Sequence, residues 1–212
     1  MTEVKICGIR SAEGLEAAAR AGADFVGFVF FPPSPRAVTP AEAGALSAGL
    51  TGGPRRAGLF VDPTDDLLAE TLAGVKLDIL QLHGAETPER VAAIRARFGL
   101  PVMKAIGIGT EADLAAIPAF AKVADRLLLD AKPPVDAELP GGNAAPFEWR
   151  LARLAPIPVP WLLAGGLTPA NVAEAIATSG APGVDVSSGV ERSRGVKDPA
   201  LIADFIRAAR GA

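Results

Sequence analysis

The chain has 212 residues, of which 50% are apolar and 21% charged, enough apolar material to bury a core. Its 24 acids outnumber 21 bases, and the net charge of −3 excludes a global cationic field for nucleic acid or an anionic membrane, so any anionic ligand must be held by local groups. The 23 glycines and 19 prolines stay below the roughly 25–30% at which such richness signals disorder, one cysteine allows no internal disulfide, and one histidine leaves no room for a Cys/His zinc cluster.

Short apolar runs alternate with alanine-rich amphipathic stretches along the whole chain, the pattern of a parallel sheet with crossover helices. In chain order, a strand over 4–7 precedes a helix over 11–21, and the pairs 24–30 and 39–49, 56–61 and 64–74, and 77–82 and 87–98 follow. The second half repeats the pattern at 101–106 and 110–117, 126–130 and 147–155, 159–165 and 168–179, and 183–188 and 198–210. Thr39-Pro40, Thr87-Pro88, Thr168-Pro169 and Asp198-Pro199 each place an N-cap oxygen before a proline at the first helical position, where the missing N–H is not needed. Glu42 adds a capping box to Thr39.

Eight such pairs predict an α/β fold, a (β/α)8 TIM barrel of parallel strands, and no composition shift marks a linker, so one catalytic domain is expected over 1–212. The rival doubly wound sheet usually carries a G-x-G-x-x-G turn after its first strand, where this chain has CGIRSAEG. The longest apolar run, 27–31, is far short of the roughly 20 residues of a membrane span. The opening MTEVKICGIR lacks the apolar core of a signal peptide, and a cytoplasmic location is expected.

In a barrel the reacting groups stand at the C-terminal ends of strands. Cys7 ends the first strand and Asp130 the sixth, three steps apart on a circle of eight, so a small sugar fits between them. Thiol and carboxylic acid suit opposite proton-transfer roles provided both pKa values shift, and Lys5, on the face of Cys7, favours the thiolate. The plainer reading of Cys7 is a buried small hydrophobe. After the seventh and eighth strands, Gly165 and Gly166 in AGGLT and Ser187, Ser188 and Gly189 in SSGVE occupy the usual phosphate site of this fold. Glycines there let backbone N–H groups approach an anion and hydroxyls add donors, although tight turns alone would also use them. Asp185 shares a face with Ser187 and is expected to look into the polar mouth. Arg36 ends the PPSPR loop and is either a bidentate carboxylate clamp or an ordinary surface arginine; His83 reads as a hydrogen-bonded structural residue.

The segments KICG (5–8), GFVFFPPSPR (27–36), GLFV (58–61), QLHG (81–84), LLLD (127–130), LAGGL (163–167), GVDVSSGVE (183–191) and GVKD (195–198) together resemble the phosphoribosylanthranilate isomerases, barrel enzymes of tryptophan biosynthesis. The resemblance implies an Amadori rearrangement with Cys7 as general base and Asp130 as general acid. It also implies that Arg36 contacts the anthranilate carboxylate and that the loops at 165–166 and 187–189 hold the ribose phosphate. The implied partner is a phosphorylated sugar–anthranilate, with neither nucleic acid nor membrane involved, no cofactor, and a monomer or homodimer as the assembly. One stretch departs from the family pattern: Gly141-Gly142-Asn143-Ala144-Ala145-Pro146 stands where a GGTG-type sequence is common. Two alternatives remain beside this one. A related aminoaldose isomerase typically has aspartate at the position of Cys7, and a non-catalytic phosphometabolite-binding barrel would need neither Cys7 nor Asp130. A decarboxylating cyclase would carry a lysine network that Lys5, Lys104 and Lys132 do not reproduce.

Overall fold

A computed structural model describes residues 1–50, 52–132 and 148–211. Eight strands, β1 (Glu3–Cys7), β2 (Phe25–Val29), β3 (Arg55–Phe60), β4 (Ile79–Leu82), β5 (Val102–Ile108), β6 (Arg126–Ala131), β7 (Trp161–Leu163) and β8 (Gly183–Val186), pair in that order, and β8 returns to β1 to close a parallel barrel. The expected barrel is therefore what the chain forms. Its strands read as unbroken apolar runs because both of their faces are buried. One set of side chains, including Phe25, Ile79, Met103, Leu128 and Leu162, fills the barrel, while Ile6, Val26, Leu80, Leu127 and Leu129 pack outward under the helices. At the N-terminal end the Arg55 guanidinium lies 3.8 Å from the centre of the Phe25 ring, and Glu3 bridges Arg55 and Arg126. That charged plug closes the end opposite the site.

The helices are α1 (Ala12–Ala21), α2 (Pro40–Ser47), α3 (Asp65–Gly74), α4 (Pro88–Phe98), α5 (Ile117–Phe120), α6 (Val172–Ser179) and α7 (Pro199–Arg210). Three of the four expected proline starts stand: Thr39 forms the full capping box with Glu42, Thr87 accepts from the Arg90 N–H, and Asp198 accepts from Ala200 and Leu201. The fourth does not. Pro169 sits in a turn closed by the Asn171 N–H on Thr168 O at 3.2 Å, and α6 starts only after Asn171. The helix expected over 110–117 is a 3₁₀ helix at Glu111–Ala116 that continues into the four-residue α5, where Pro118 lies in the first turn. The helix expected over 147–155 is a 3₁₀ turn at Trp149–Arg153, because Pro156 disfavours a helical Ala155 and the five residues left are too few to repay helix nucleation. No described helix is long and apolar enough to cross a membrane.

Beyond β8 the chain makes a small antiparallel hairpin, β9 (Glu191–Ser193) and β10 (Val196–Lys197), turned at Gly195 with φ +81°. Two polar strands this short carry no alternation signal, and the sequence reading placed nothing there. The hairpin matters because it delivers Glu191 and Lys197 to the mouth of the barrel.

Candidate active site

Alternation along β1 turns Lys5 and Cys7 into the barrel, and alternation along β8 does the same for Asp185. Lys5 and Asp185 are register partners, and the fully buried Lys5 Nζ lies 2.8 Å from Asp185 Oδ1. Burial pulls the lysine pKa down, but the negative charge of Asp185 and the neighbouring Cys7 outweigh it and hold Lys5 above its ordinary range as an ammonium. Asp185 is itself buried and serves as the lysine's counter-ion. Cys7 is 4% exposed. Burial pushes its thiol up; Lys5 and Lys197 pull the other way without cancelling that effect, and Asp185 adds to it. The expected help from Lys5 is present, and burial outweighs it.

Room for this cluster comes from β2. A Cβ on Gly27 would stand 2.9 Å from Cys7 Sγ and 3.2 Å from Lys5 Nζ, so the glycine is needed as empty space rather than as a turn. Nothing in an apolar strand pattern distinguishes it from its neighbours.

Asp130 stands on β6, 8% exposed, with both carboxylate oxygens engaged. Oδ1 accepts from the Ala131 N–H at 2.8 Å, and Oδ2 lies 3.2 Å from His83 Nε2 at the end of β4. His83 Nδ1 is in turn 3.0 Å from the amide nitrogen of Gln81. His83 is thus hydrogen-bonded as expected, through Gln81, and its other ring nitrogen lies against the candidate acid, a contact between β4 and β6 across β5 that spacing along the chain does not encode.

Arg36 is 6% exposed, which excludes an ordinary surface arginine. Its Nε and Nη2 donate to Glu191 Oε1 and Oε2 at 2.8 and 3.0 Å, a bidentate pair. Lys197 donates to the same carboxylate at 2.8 Å and to Ser187 O at 2.9 Å, and the Gly195 N–H completes the shell of Glu191. Burial alone would raise the Glu191 pKa, yet Arg36 and Lys197 hold it down at about 2. Glu191 and Lys197 were missed by sequence reasoning; the only signal was their place inside SSGVE and GVKD.

The loops after β7 and β8 meet. Gly165 and Gly166 both take left-handed φ, +90° and +66°, and a Cβ on Gly165 would stand 2.7 Å from the Ala131 backbone nitrogen. Gly189 lies so close to the Leu167 carbonyl that no side chain fits. Asn171 locks the first loop, accepting from the Thr168 N–H at 2.7 Å and donating to Gly166 O at 3.0 Å. Ser187 donates its hydroxyl to Cys7 O at 3.1 Å, which ties the loop to β1. Among the described residues the Gly166 N–H has no hydrogen-bond partner, and Ser188 opens a one-turn 3₁₀ helix whose first N–H groups have no intrahelical acceptor. The helix start expected beside this cradle lies farther on, at Val172. The stretch 133–147, with the unusual Gly141–Pro146 segment, falls outside the described residues.

A family model described as N-(5'phosphoribosyl)anthranilate (PRA) isomerase matches residues 4–208. The N-(5'-phosphoribosyl)anthranilate isomerase of Paracoccus denitrificans is 60% identical over 203 residues, covering 96% of this chain and 94% of its own. The phosphoribosyl anthranilate isomerase of Thermotoga maritima superposes over 100% of both chains with a TM-score of 0.89 and 37% identity. A phosphoribosyl anthranilate isomerase in complex with reduced 1-(o-carboxyphenylamino)-1-deoxyribulose 5-phosphate does so over 100% of both chains at a TM-score of 0.85 and 34% identity.

Two outcomes follow from the charges. Removing the Lys5 ammonium destabilises the Cys7 thiolate, so Lys5→Met shifts the pH profile of Cys7 alkylation by iodoacetamide to higher pH; an unshifted profile, followed by mass spectrometry on folded protein, contradicts the coupling. Glu191 is depressed in the folded state, so its contribution to stability is present above the ordinary carboxylate range near 4.5 and disappears as pH falls through about 2. The stability gap between wild type and Glu191→Gln, measured by urea unfolding, therefore narrows across that window as the solution is acidified.

Proposed function

Because the chain belongs to the N-(5'-phosphoribosyl)anthranilate isomerase family and catalyses that family's step in tryptophan biosynthesis, we propose that Cys7 and Asp130 carry its proton transfers. The observation behind this is their placement: both look inward near the C-terminal ends of β1 and β6, and the two glycine-bearing loops lie between them, after β7 and β8. A substrate whose phosphate rests on those loops holds its sugar between the two groups.

Asp130 protonates the ribose ring oxygen and opens the sugar to a Schiff base. Cys7, as thiolate, then removes the proton at C2′, and the resulting enolamine tautomerises to the ketone, giving 1-(2-carboxyphenylamino)-1-deoxyribulose 5-phosphate. A proton α to an imine is acidic enough for a modest base, and each positioned acid or base contributes roughly 10²–10⁴-fold. Lys5 supplies the counter-charge that a thiolate in this buried position requires. Phosphate binding falls to the backbone N–H groups of Gly166, Ser188 and Gly189, with Gly165 and Ser187 shaping the cradle; aligned amides hold an anion in a protein of net negative charge. Arg36 receives the anthranilate carboxylate. With Nε and Nη2 on Glu191, it offers Nη1, which has no protein partner among the described residues. The work is done in the cytoplasm, where the thiol of Cys7 stays reduced.

Cys7→Ser and Asp130→Asn are nearly isosteric, so each is expected to lose at least about 100-fold in kcat with N-(5'-phosphoribosyl)anthranilate while the circular dichroism spectrum is unchanged. Neither variant should restore growth to a tryptophan auxotroph lacking this isomerase, whereas the wild type should; near-wild-type turnover in either variant removes that residue from its role. Gly166 has φ +66°, and Gly166→Val puts a β-branched side chain where the backbone must approach the phosphate. Affinity for phosphorylated ligands should fall by calorimetry while anthranilate binding is largely unaffected.

A further inference from the structure

The geometry points to Gln81 as a positioning residue for the acid Asp130, acting through His83 by fixing which ring nitrogen carries the proton. Gln81 lies on β4 between Leu59 of β3 and Met103 of β5, and alternation with Ile79, a member of the barrel-filling cluster, turns it inward. It is fully buried. Its amide nitrogen stands 3.0 Å from His83 Nδ1, and His83 Nε2 stands 3.2 Å from Asp130 Oδ2.

An amide NH₂ donates and cannot accept, so Nδ1 opposite it must present its lone pair. An imidazole carrying one proton then holds it on Nε2, the nitrogen 3.2 Å from Asp130 Oδ2. With Oδ1 held by the Ala131 N–H and Oδ2 3.2 Å from His83 Nε2, the carboxyl group is confined between the two, and its remaining lone pairs are the ones that handle the substrate proton. The Gln81 Oε1 has no partner among the described residues, although it is buried. Leaving a buried acceptor unpaired is costly, and a chain built only for packing would place Leu or Met here. The retained amide is accounted for by its one bond to His83.

The inference rests on Asp130 being the acid of the proposed reaction, and its test contains a part that needs no substrate. His83 is the only histidine of the chain, so protein labelled with ¹⁵N-histidine gives the signals of one imidazole, whose two nitrogen shifts report the tautomer directly. The wild type is expected to carry the proton on Nε2. Gln81→Leu should show a mixture of tautomers, and Gln81→Glu, whose carboxylate accepts at the same place, should move the proton to Nδ1. With N-(5'-phosphoribosyl)anthranilate, Gln81→Leu should lower kcat by roughly 10- to 100-fold, the scale of a slightly misplaced catalytic group, with KM nearly constant. Gln81→Met, which keeps the unbranched shape, serves where the Leu variant does not fold. In a His83→Asn background the same Gln81 substitution should have no further effect on kcat.

A wild-type proton on Nδ1, an unchanged tautomer in Gln81→Leu and Gln81→Met, or an unchanged kcat in variants whose tautomer has moved would each overturn the assignment. Failure of the wild type to turn over the substrate would instead strike the proposed reaction and, with it, the catalytic role of Gln81; the spectra alone would then decide whether Gln81 sets the tautomer.

Discussion

The barrel closes where the first strand meets the last, and at that seam a buried lysine faces a buried aspartate. Lys5 and Asp185 are 180 residues apart in sequence and 2.8 Å apart in space. Neither charge is tolerable alone, since removing one partner of a buried pair costs about 3–5 kcal/mol. The pair therefore demands one register between β1 and β8, and a slip of either strand by one residue would turn its charge into the apolar layer under the helices and leave the partner charge buried alone. The rest of the candidate site on that side inherits this register. Cys7 sits one pleat beyond Lys5, and Ser187 sits one pleat beyond Asp185 with its hydroxyl on the Cys7 carbonyl.

A second set of charges organises the rim. Glu191 gathers Arg36, Lys197 and the Gly195 N–H, so two basic side chains are held around one carboxylate inside a protein whose net charge is −3. Local concentration of charge, not the total, is what an anionic ligand meets at short range. The β9–β10 hairpin acts as a bracket: it carries both Glu191 and Lys197, and it reaches Ser187 in the loop after β8. The glycine loops pack so closely that Gly189 touches the Leu167 carbonyl and Asn171 stitches Gly166 to Thr168, while Lys197 reaches in only as far as Ser187.

Much of this was legible in the chain. The alternation of apolar runs with amphipathic stretches leads to the barrel because strands buried on both faces and helices buried on one have different periods. Caps at Thr39, Thr87 and Asp198 are local chemistry and formed as read. Thr168-Pro169 carried the same local signal and did not cap: the Asn171 N–H closes a turn on Thr168 O, the helix starts only at Val172, and Leu167 is pinned against Gly189. Local propensity yielded there to a contact between two loops.

The sequence by itself determined the element order, the closed parallel fold, and the placement of Cys7, Asp130, Arg36 and the two glycine loops near strand ends, because these depend on hydrophobic period, chain direction and short-range capping. Only the tertiary structure decided who pairs with whom. Arg36 met Glu191 across 155 residues, His83 turned out to lie on Asp130 with Gln81 behind it, and Gly27 proved to be the space into which Cys7 and Lys5 fit. The physical reason is that partners across a barrel are chosen by strand register and by closure of the ring. A side chain's distance along the chain says nothing about which strand the closed ring brings opposite it.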